Sequence, residues 1–257
     1  MRFLVGILSI ILLGCDSPGN KNKTDADSLN DSITPTGTTE FVIHDELEKL
    51  SKEQIPTEIK FKGTLVEAWS WRDKLGDNIL ITSEVEPYDE INKNEVGDDV
   101  SAAELYAFHF LKRDSIYTLH WKIADAIRSC PFDAICQFLK NSITITDLNN
   151  NGIAEVLVQY KIVCISDVSP ANKKLIMYED TIKYSLRGMM CDPGTPIICV
   201  TDKDLNLEKV PPGKDEWEEY TRLFGRYENE KGFANAPPAF LVHARSEWLK
   251  HIKETFD

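Results

Sequence analysis

Apolar and polar residues alternate with a period of two over much of the chain between residues 59 and 186. In the segment 59–71, for example, Phe61, Trp69 and Trp71 share one face while polar residues occupy the other. Such alternation is typical of half-buried β-strands, because successive side chains point to opposite faces of a sheet. The pattern predicts strands over 59–71, 79–85, 103–111, 116–121, 142–146, 156–164, 175–178 and 182–186.

Short polar segments separate several of these predicted strands, which favours antiparallel pairing of consecutive strands. Helical spacing of apolar residues predicts three helices, over 124–140, 215–227 and 240–256. With most strands first and the last two helices at the end, the sequence predicts an α+β fold. We expect an antiparallel β-meander that forms a curved sheet, backed by the C-terminal helices.

The N-terminal residues predict export. Arg2 precedes a mostly apolar run over 3–13, which is shorter than the roughly 20 residues of a membrane-spanning helix and so indicates a signal peptide. The run ends in Leu-Leu-Gly-Cys15, which resembles the lipobox of bacterial lipoproteins. The resemblance implies that residues 1–14 are removed and that Cys15 receives lipid, which palmitate labelling would detect. The alternative is an ordinary secretory signal with a cysteine there by chance.

Residues 15–40 are rich in Asp, Asn, Ser, Thr, Gly and Pro and hold almost no large apolar side chains. Because such a segment cannot bury enough surface to offset its ordering entropy, we expect a lipidated flexible tether. Residues 41–257 would then form a single exported globular domain, anchored by lipid to the bacterial membrane on the periplasmic side or at the cell surface. The chain is 42% hydrophobic, which is enough for a core.

The net charge of −13 argues against nucleic acid as a partner. The expected partners are the membrane, through the lipid anchor, and an envelope glycan or another envelope protein. No phosphate-binding loop, dinucleotide fingerprint or hydrolase nucleophile motif occurs in the sequence. The composition and motifs therefore favour a non-enzymatic binding or accessory module.

The cysteines of an exported domain can form disulfides. Cys191 and Cys199 flank a turn rich in Pro and Gly, which favours a bond across a hairpin. On one helix over 124–140, Cys130 and Cys136 would lie about 9 Å apart along the axis, beyond disulfide reach. Cys130 with Cys164 is therefore the preferred second pair.

The segment 147–155 places oxygen donors at alternate positions. Its candidate ligands are the side chains of Asp147, Asn149, Asn151 and Glu155 and the main-chain carbonyl of Ile153. Calcium needs six to eight oxygens, and alternation lets a short loop wrap them around the ion, with Gly152 permitting the bend. The spacing is similar to the Asp-x-Asn-x-Asn-Gly calcium loops of integrin-type propeller blades, which implies one structural calcium ion.

A turn without an ion is the alternative for this loop, because Asn and Asp accept left-handed backbone and close turns with their own side chains. Only Asp147 and Glu155 supply charge among the candidate ligands. If calcium binds, we therefore expect a weak site with a Kd of about 10⁻⁴–10⁻³ M, as in extracellular modules.

Three other features have both a structural and a functional interpretation. Trp69 and Trp71 could stack on a sugar, but core packing is favoured. His109 and His120 are expected as strand residues rather than zinc ligands, because no third ligand accompanies them. Arg187 could meet a carboxylate or phosphate at a sheet edge, but an ordinary salt bridge is favoured.

Four motifs occur in order along the chain: residues 145–156 (Ile-Thr-Asp-Leu-Asn-Asn-Asn-Gly-Ile-Ala-Glu-Val), 167–170 (Asp-Val-Ser-Pro), 174–179 (Lys-Leu-Ile-Met-Tyr-Glu) and 183–188 (Lys-Tyr-Ser-Leu-Arg-Gly). Together they resemble a family of bacterial lipoproteins, some of which are labelled surface polysaccharide biosynthesis proteins. The likeness covers about 121–188. It implies an envelope role and, as the alternative function, an accessory factor or enzyme of surface polysaccharide biosynthesis.

Overall fold

The computed structural model describes residues 47–90, 100–166, 169–191 and 200–254, and these form mainly antiparallel β-structure. All of them belong to one unit of the chain, Glu40–Asp257. The predicted signal peptide at 1–14, the tether at 15–40 with Cys15, and Cys199 lie outside the described residues. Within the described ranges, no helix is both long enough and apolar enough to cross a membrane.

The strands of the described residues form two five-stranded antiparallel sheets. The first sheet follows chain order: β1 (Glu48–Leu50), β2 (Thr64–Asp73), β3 (Gly76–Glu90), β4 (Val100–Arg113) and β5 (Ile116–Cys130). The second contains β6 (Asp133–Phe138), β7 (Thr144–Thr146), β8 (Glu155–Ile165), β9 (Asn172–Glu179) and β10 (Ile182–Met189). Its order is β10-β9-β8-β6, and β7 also pairs with β8. β5 and β10 are thus edge strands of their sheets.

The largest core lies between the two sheets. The predicted common face of 59–71 is wrong: a register shift between Leu65 and Glu67 leaves Phe61 on the outer core, whereas Trp69 and Trp71 belong to the core between the sheets. On β8, Val156 and Val158 face the first sheet, whereas Leu157 belongs to the core on the opposite side. Trp121 of β5 stacks on Tyr178 of β9, with ring centroids 4.3 Å apart, so aromatic packing joins the sheets directly. Such a pair adds about 0.5–1.5 kcal/mol beyond the buried area.

Each sheet is covered on its outer face by a further part of the chain. Ile55 and Ile59, which precede β2, pack on the outer side of the first sheet. Helices α1 (Glu216–Thr221) and α2 (Pro238–Lys250) lie in the C-terminal segment that covers the second sheet, where Trp248 is fully buried. The described ranges also contain three short 3₁₀ helices: Lys52–Gln54, Leu207–Lys209 and Lys231–Phe233.

The helix predicted over 124–140 is wrong. Its first part belongs to β5 and its second to β6, and Pro131 falls in the turn between them. Ser129 has a positive φ of 50° and lies where the pairing of β5 with β4 shifts register, between Ile127 and Cys130, just before the turn. The β-branched and aromatic side chains of this segment pack well on a pleated sheet, and pairing with β4 and β8 outweighs the apparent helical spacing.

The two C-terminal helices are shorter than predicted. α1 ends at Thr221 instead of 227, and α2 begins at Pro238 and ends at Lys250. Proline suits the first turn of a helix, where its missing N–H costs nothing, so the start of α2 lies at the proline pair itself. The described fold is therefore more strongly β than the sequence predicts.

Candidate functional site

The loop 147–155 joins β7 to β8, and its first aspartate closes it. Asp147 accepts hydrogen bonds from the main-chain N–H groups of Asn151 (3.0 Å) and Gly152 (2.9 Å). Asn150 and Gly152 both have positive φ, 55° and 81°, which is the left-handed backbone that Asn and Gly adopt most easily. These contacts form a tight turn, as both the calcium-loop prediction and the ion-free alternative require.

Asn149 and Asn151 direct their side-chain oxygens toward the turn and their side-chain nitrogens toward Glu179. The Oδ1 of Asn149 accepts from the N–H of Asn151 (3.0 Å), and the Oδ1 of Asn151 accepts from the N–H of Ile153 (2.7 Å). Their Nδ2 groups both donate to Oε1 of Glu179, at 2.7 and 2.6 Å. Glu179 ends β9 and is the register partner of Glu155 on β8.

Glu179 was missed by the sequence reasoning. It lies far from the loop in sequence and reaches it only through the pairing of β8 with β9. Ile153, by contrast, was predicted to contribute its carbonyl, and the contact seen at this residue is the donation of its N–H to Asn151. Four of the five predicted ligands therefore line one turn, and a further carboxylate adjoins them.

Glu155 is fully buried at the base of the turn. Its Oε2 accepts hydrogen bonds from the main-chain N–H of Leu148 (2.8 Å) and the hydroxyl of Thr146 (3.0 Å). Its Oε1 is buried and has no hydrogen-bond partner among the described residues. Burial, together with the neighbouring carboxylates of Asp147 and Glu179, raises the pKa of Glu155 to about 7. A buried carboxylate oxygen without a donor normally calls for a cation or a proton.

The first sheet holds the other side of the loop through the two-residue turn between β2 and β3. The main-chain N–H of Lys74 donates to the carbonyl of Gly152 (2.8 Å), and its ammonium donates to the carbonyl of Asn151. Asp73, just before it, accepts from the N–H of Ala154 (3.1 Å). The loop therefore connects the two sheets at one end of the fold.

The loop residues provide the types of ligand that a hard cation such as calcium prefers, but few of them are charged. Carboxylate, amide and main-chain oxygens are the ligands that calcium prefers. No group of three or more His, Cys, Asp or Glu side chains in the described ranges is arranged to hold a metal. A cation here would therefore depend on the amides of Asn149 and Asn151 as well as on the carboxylates. The same hydrogen bonds also close the turn without an ion.

Of the two predicted disulfides, the one between Cys130 and Cys164 falls within the described residues and is present. Cys130 and Cys164 form a disulfide that joins the end of β5 to β8. The helix on which that choice was partly based does not exist, and the bond instead links two strands. Cys136 is a buried thiol whose pKa is raised to about 12 by burial, so it is protonated at neutral pH. Cys191 is buried, and its predicted partner Cys199 lies outside the described residues.

The tryptophan and histidine pairs contribute to packing. Trp71 is 3% exposed and stacks on His109, with ring centroids 5.2 Å apart. His109 contacts the Oδ1 of Asn78 through Nε2 (2.9 Å), while His120 contacts Asp180 (2.6 Å). Burial lowers the pKa of His109 to about 3, so it is neutral at physiological pH. The expectation that these are strand and core residues agrees with their positions.

Comparison of the chain with protein-family models, with curated proteins and with solved structures finds no match. Function is therefore inferred from the geometry of the loop and from the signals at the N-terminus.

Proposed function

We propose that the chain is an exported lipoprotein, anchored to the bacterial membrane through Cys15, that acts as a non-enzymatic binding or accessory module of the cell envelope. Its α+β domain, a curved antiparallel meander with C-terminal helices, spans 41–257. The loop 147–155 holds one structural calcium ion. The partners of this module are an envelope glycan or another envelope protein.

The buried, unpartnered Oε1 of Glu155 is the observation that carries the calcium proposal. Asp147 and Glu179 lie close enough to raise the pKa of Glu155 further, so the site concentrates negative charge in a buried position. A divalent cation would offset this repulsion and give Oε1 a partner. Asp147, Asn149, Asn151 and Glu155 would hold the ion, with Glu179 beside them.

A structural role follows from where the loop sits. It is bonded to Lys74 and Asp73 of the first sheet and to Glu179 of the second. An ion in the loop would therefore stabilise the contact between the sheets. The protonated Cys136 and the neutral, buried His109 are poorly suited to nucleophilic or base catalysis, which favours binding over an enzymatic role.

Calcium binding can be tested by thermal unfolding of the full-length chain in EGTA and in 10 mM calcium. With a Kd of about 1 mM, calcium at ten times that concentration stabilises the folded state by about 1.4 kcal/mol. For a domain of this size we expect a Tm increase of about 3–6 °C. Magnesium should give a smaller shift, because it dehydrates reluctantly and demands stricter octahedral geometry.

The matched variants are Asp147→Asn, which removes a proposed ligand charge, and Asp133→Asn, which removes an exposed carboxylate of β6. We expect Asp147→Asn to lose the calcium-dependent shift and Asp133→Asn to keep it. Equal shifts in the parent and Asp147→Asn, or no shift in the parent, would exclude the site.

The lipid anchor is tested separately by metabolic labelling with palmitate in a bacterial host. We expect label in the parent chain and none in Cys15→Ser, with the parent in the membrane fraction. Label that persists in Cys15→Ser would contradict the anchor. Cys136→Ser is a suitable control, since this thiol is buried and should not be acylated.

A further inference from the structure

The edge strand β10 exposes part of the face that its sheet turns toward the first sheet. Tyr184 and Leu186 of β10 pack into the outer core beneath the C-terminal segment. The residues between and beside them point the opposite way, and of these Lys183 and Arg187 are exposed. Within the described ranges the first sheet ends at β5, and none of its strands packs closely on this part of β10.

The contacts of Asp125 fix the position of β5 relative to the second sheet. Asp125 accepts hydrogen bonds from the hydroxyl of Tyr160 on β8 (3.0 Å) and the ammonium of Lys174 on β9 (2.5 Å). It also interacts electrostatically with Lys183 on β10. β5 therefore lies above β8 and β9, and the next strand position beyond its edge lies above β10.

Three cations surround this position. Lys174 and Arg187 are register partners on neighbouring strands, and Lys183 interacts with both. Lys174 is paired with Asp125, but neither Lys183 nor Arg187 forms an ion pair within the part of the chain that the structure describes. The sequence interpretation of Arg187 as an ordinary salt-bridge residue is thus not supported by the described contacts. In a chain with a net charge of −13, two neighbouring cations without an ion pair, beside the paired Lys174, indicate an acidic partner.

The main chain of β5 is also open on this side. β5 is bonded to β4 along its length, and over 116–124 no hydrogen bond from any other described element reaches its main chain. A free strand edge offers a row of N–H and C=O groups that only another extended backbone can match. The main-chain edge and the cations therefore point to a peptide rather than to a glycan.

We infer that an extended acidic peptide segment of a partner protein adds to β5 as a sixth strand of the first sheet. Carboxylates at alternate positions of that segment face Lys183 and Arg187, about 13 Å apart along β10 at 3.3 Å per residue. The inference names the partner class of the binding module, and so it rests on that part of the proposed function. It is independent of calcium at 147–155 and of the lipid at Cys15.

The probe is a fluorescein-labelled ten-residue peptide of alternating glutamate and threonine, titrated against the full-length chain by fluorescence anisotropy. We expect binding that weakens as salt rises, because the exposed charges are screened. The same peptide with lysine in place of glutamate should not bind. Failure of the glutamate peptide to bind, while the calcium and lipid tests succeed, would overturn the docking site alone.

Two further comparisons separate the charge from the strand pairing. The double variant Lys183→Gln/Arg187→Gln should weaken binding at least tenfold, whereas Lys52→Gln/Lys60→Gln removes two exposed cations in the segment before β2 and should not. N-methylation of one alternate set of peptide amides should abolish binding, and methylation of the other set should leave it intact, because an added strand uses one edge only. Equal binding by both double variants would overturn the proposal. If the two methylation patterns had equal effects and heparin competed with the peptide, the strand-pairing proposal would be wrong, and Lys183 and Arg187 would instead bind an acidic glycan.

Discussion

Replacing Glu155 by glutamine tests the electrostatics of the loop directly. The folded protein raises the pKa of this buried carboxyl from 4.5 to about 7. Between these pH values the folded state holds a proton that the unfolded state has released. The stability associated with this proton is fully present below about pH 4.5 and is lost as the pH rises through 7.

The size of the effect follows from the difference in pKa. At 1.36 kcal/mol for each pKa unit, a rise from 4.5 to about 7 corresponds to about 3 kcal/mol lost from the free energy of unfolding above pH 7. Glutamine carries no charge at any pH. Its oxygen can keep the bonds from Leu148 and Thr146, while its amide nitrogen takes the place of the unpartnered Oε1 beside Asp147 and Glu179.

The assay is urea unfolding, followed by tryptophan fluorescence, at pH 5, 6, 7 and 8 in EGTA. We expect Glu155→Gln to be more stable than the parent by about 2–3 kcal/mol at pH 8, a difference that shrinks toward pH 5. Glu58→Gln, at an exposed position, should show no such dependence. Calcium should stabilise the parent and leave Glu155→Gln unchanged.

The reasoning would be refuted if Glu155→Gln were less stable than the parent at pH 8 without calcium. That result would mean that the carboxylate already has a favourable partner in the ion-free protein. A pH-independent gain in stability would instead show that the shape of the side chain matters and its charge does not.

The remaining predictions concern stability and use the same unfolding assay. Trp121→Ala removes one ring of the stack between the sheets and should cost about 3–5 kcal/mol, and a loss below 1 kcal/mol would contradict its place in the core. Gly188→Ala should lower the free energy of unfolding by about 1–3 kcal/mol or more, because the added carbon would lie 2.0 Å from the carbonyl oxygen of Arg226. Wild-type stability of this variant would show that the main chains of Gly188 and Arg226 are not in such close contact. Cys130→Ser/Cys164→Ser removes a disulfide with a sequence separation of 34 residues. The loop-entropy model gives a loss of about 4 kcal/mol in the free energy of unfolding, and Cys136→Ser should lose less.

Strands such as β10 were predictable from the sequence because one of their faces packs on a core while the other is more exposed, which gives a period of two. The failure at 124–140 arose where the end of β5 meets the short strand β6 at Pro131: isoleucines and small residues on either side of the turn happen to recur at helical intervals. Only pairing with β4 and β8, which local spacing does not contain, decides between the two structures.

The loop shows the same division between local and distant information. The turn around Asp147 could be predicted because its residues are neighbours in sequence. Glu179 and Lys74 reach it from another strand and another sheet, so their part depended on strand register and on sheet packing. The role of Arg187 likewise depends on where the first sheet ends, which no spacing along β10 encodes.

The position of α2 on the second sheet determines when that sheet can complete its folding. Trp248 and Phe240 complete a core whose other wall is β9 and β10, and they are synthesised many residues later. Until that helix is synthesised, those strands expose an apolar surface to water. Folding intermediates with such surfaces are the ones that chaperones bind. A chain terminated shortly before Pro238 should therefore aggregate or be degraded even though every strand of both sheets is already present.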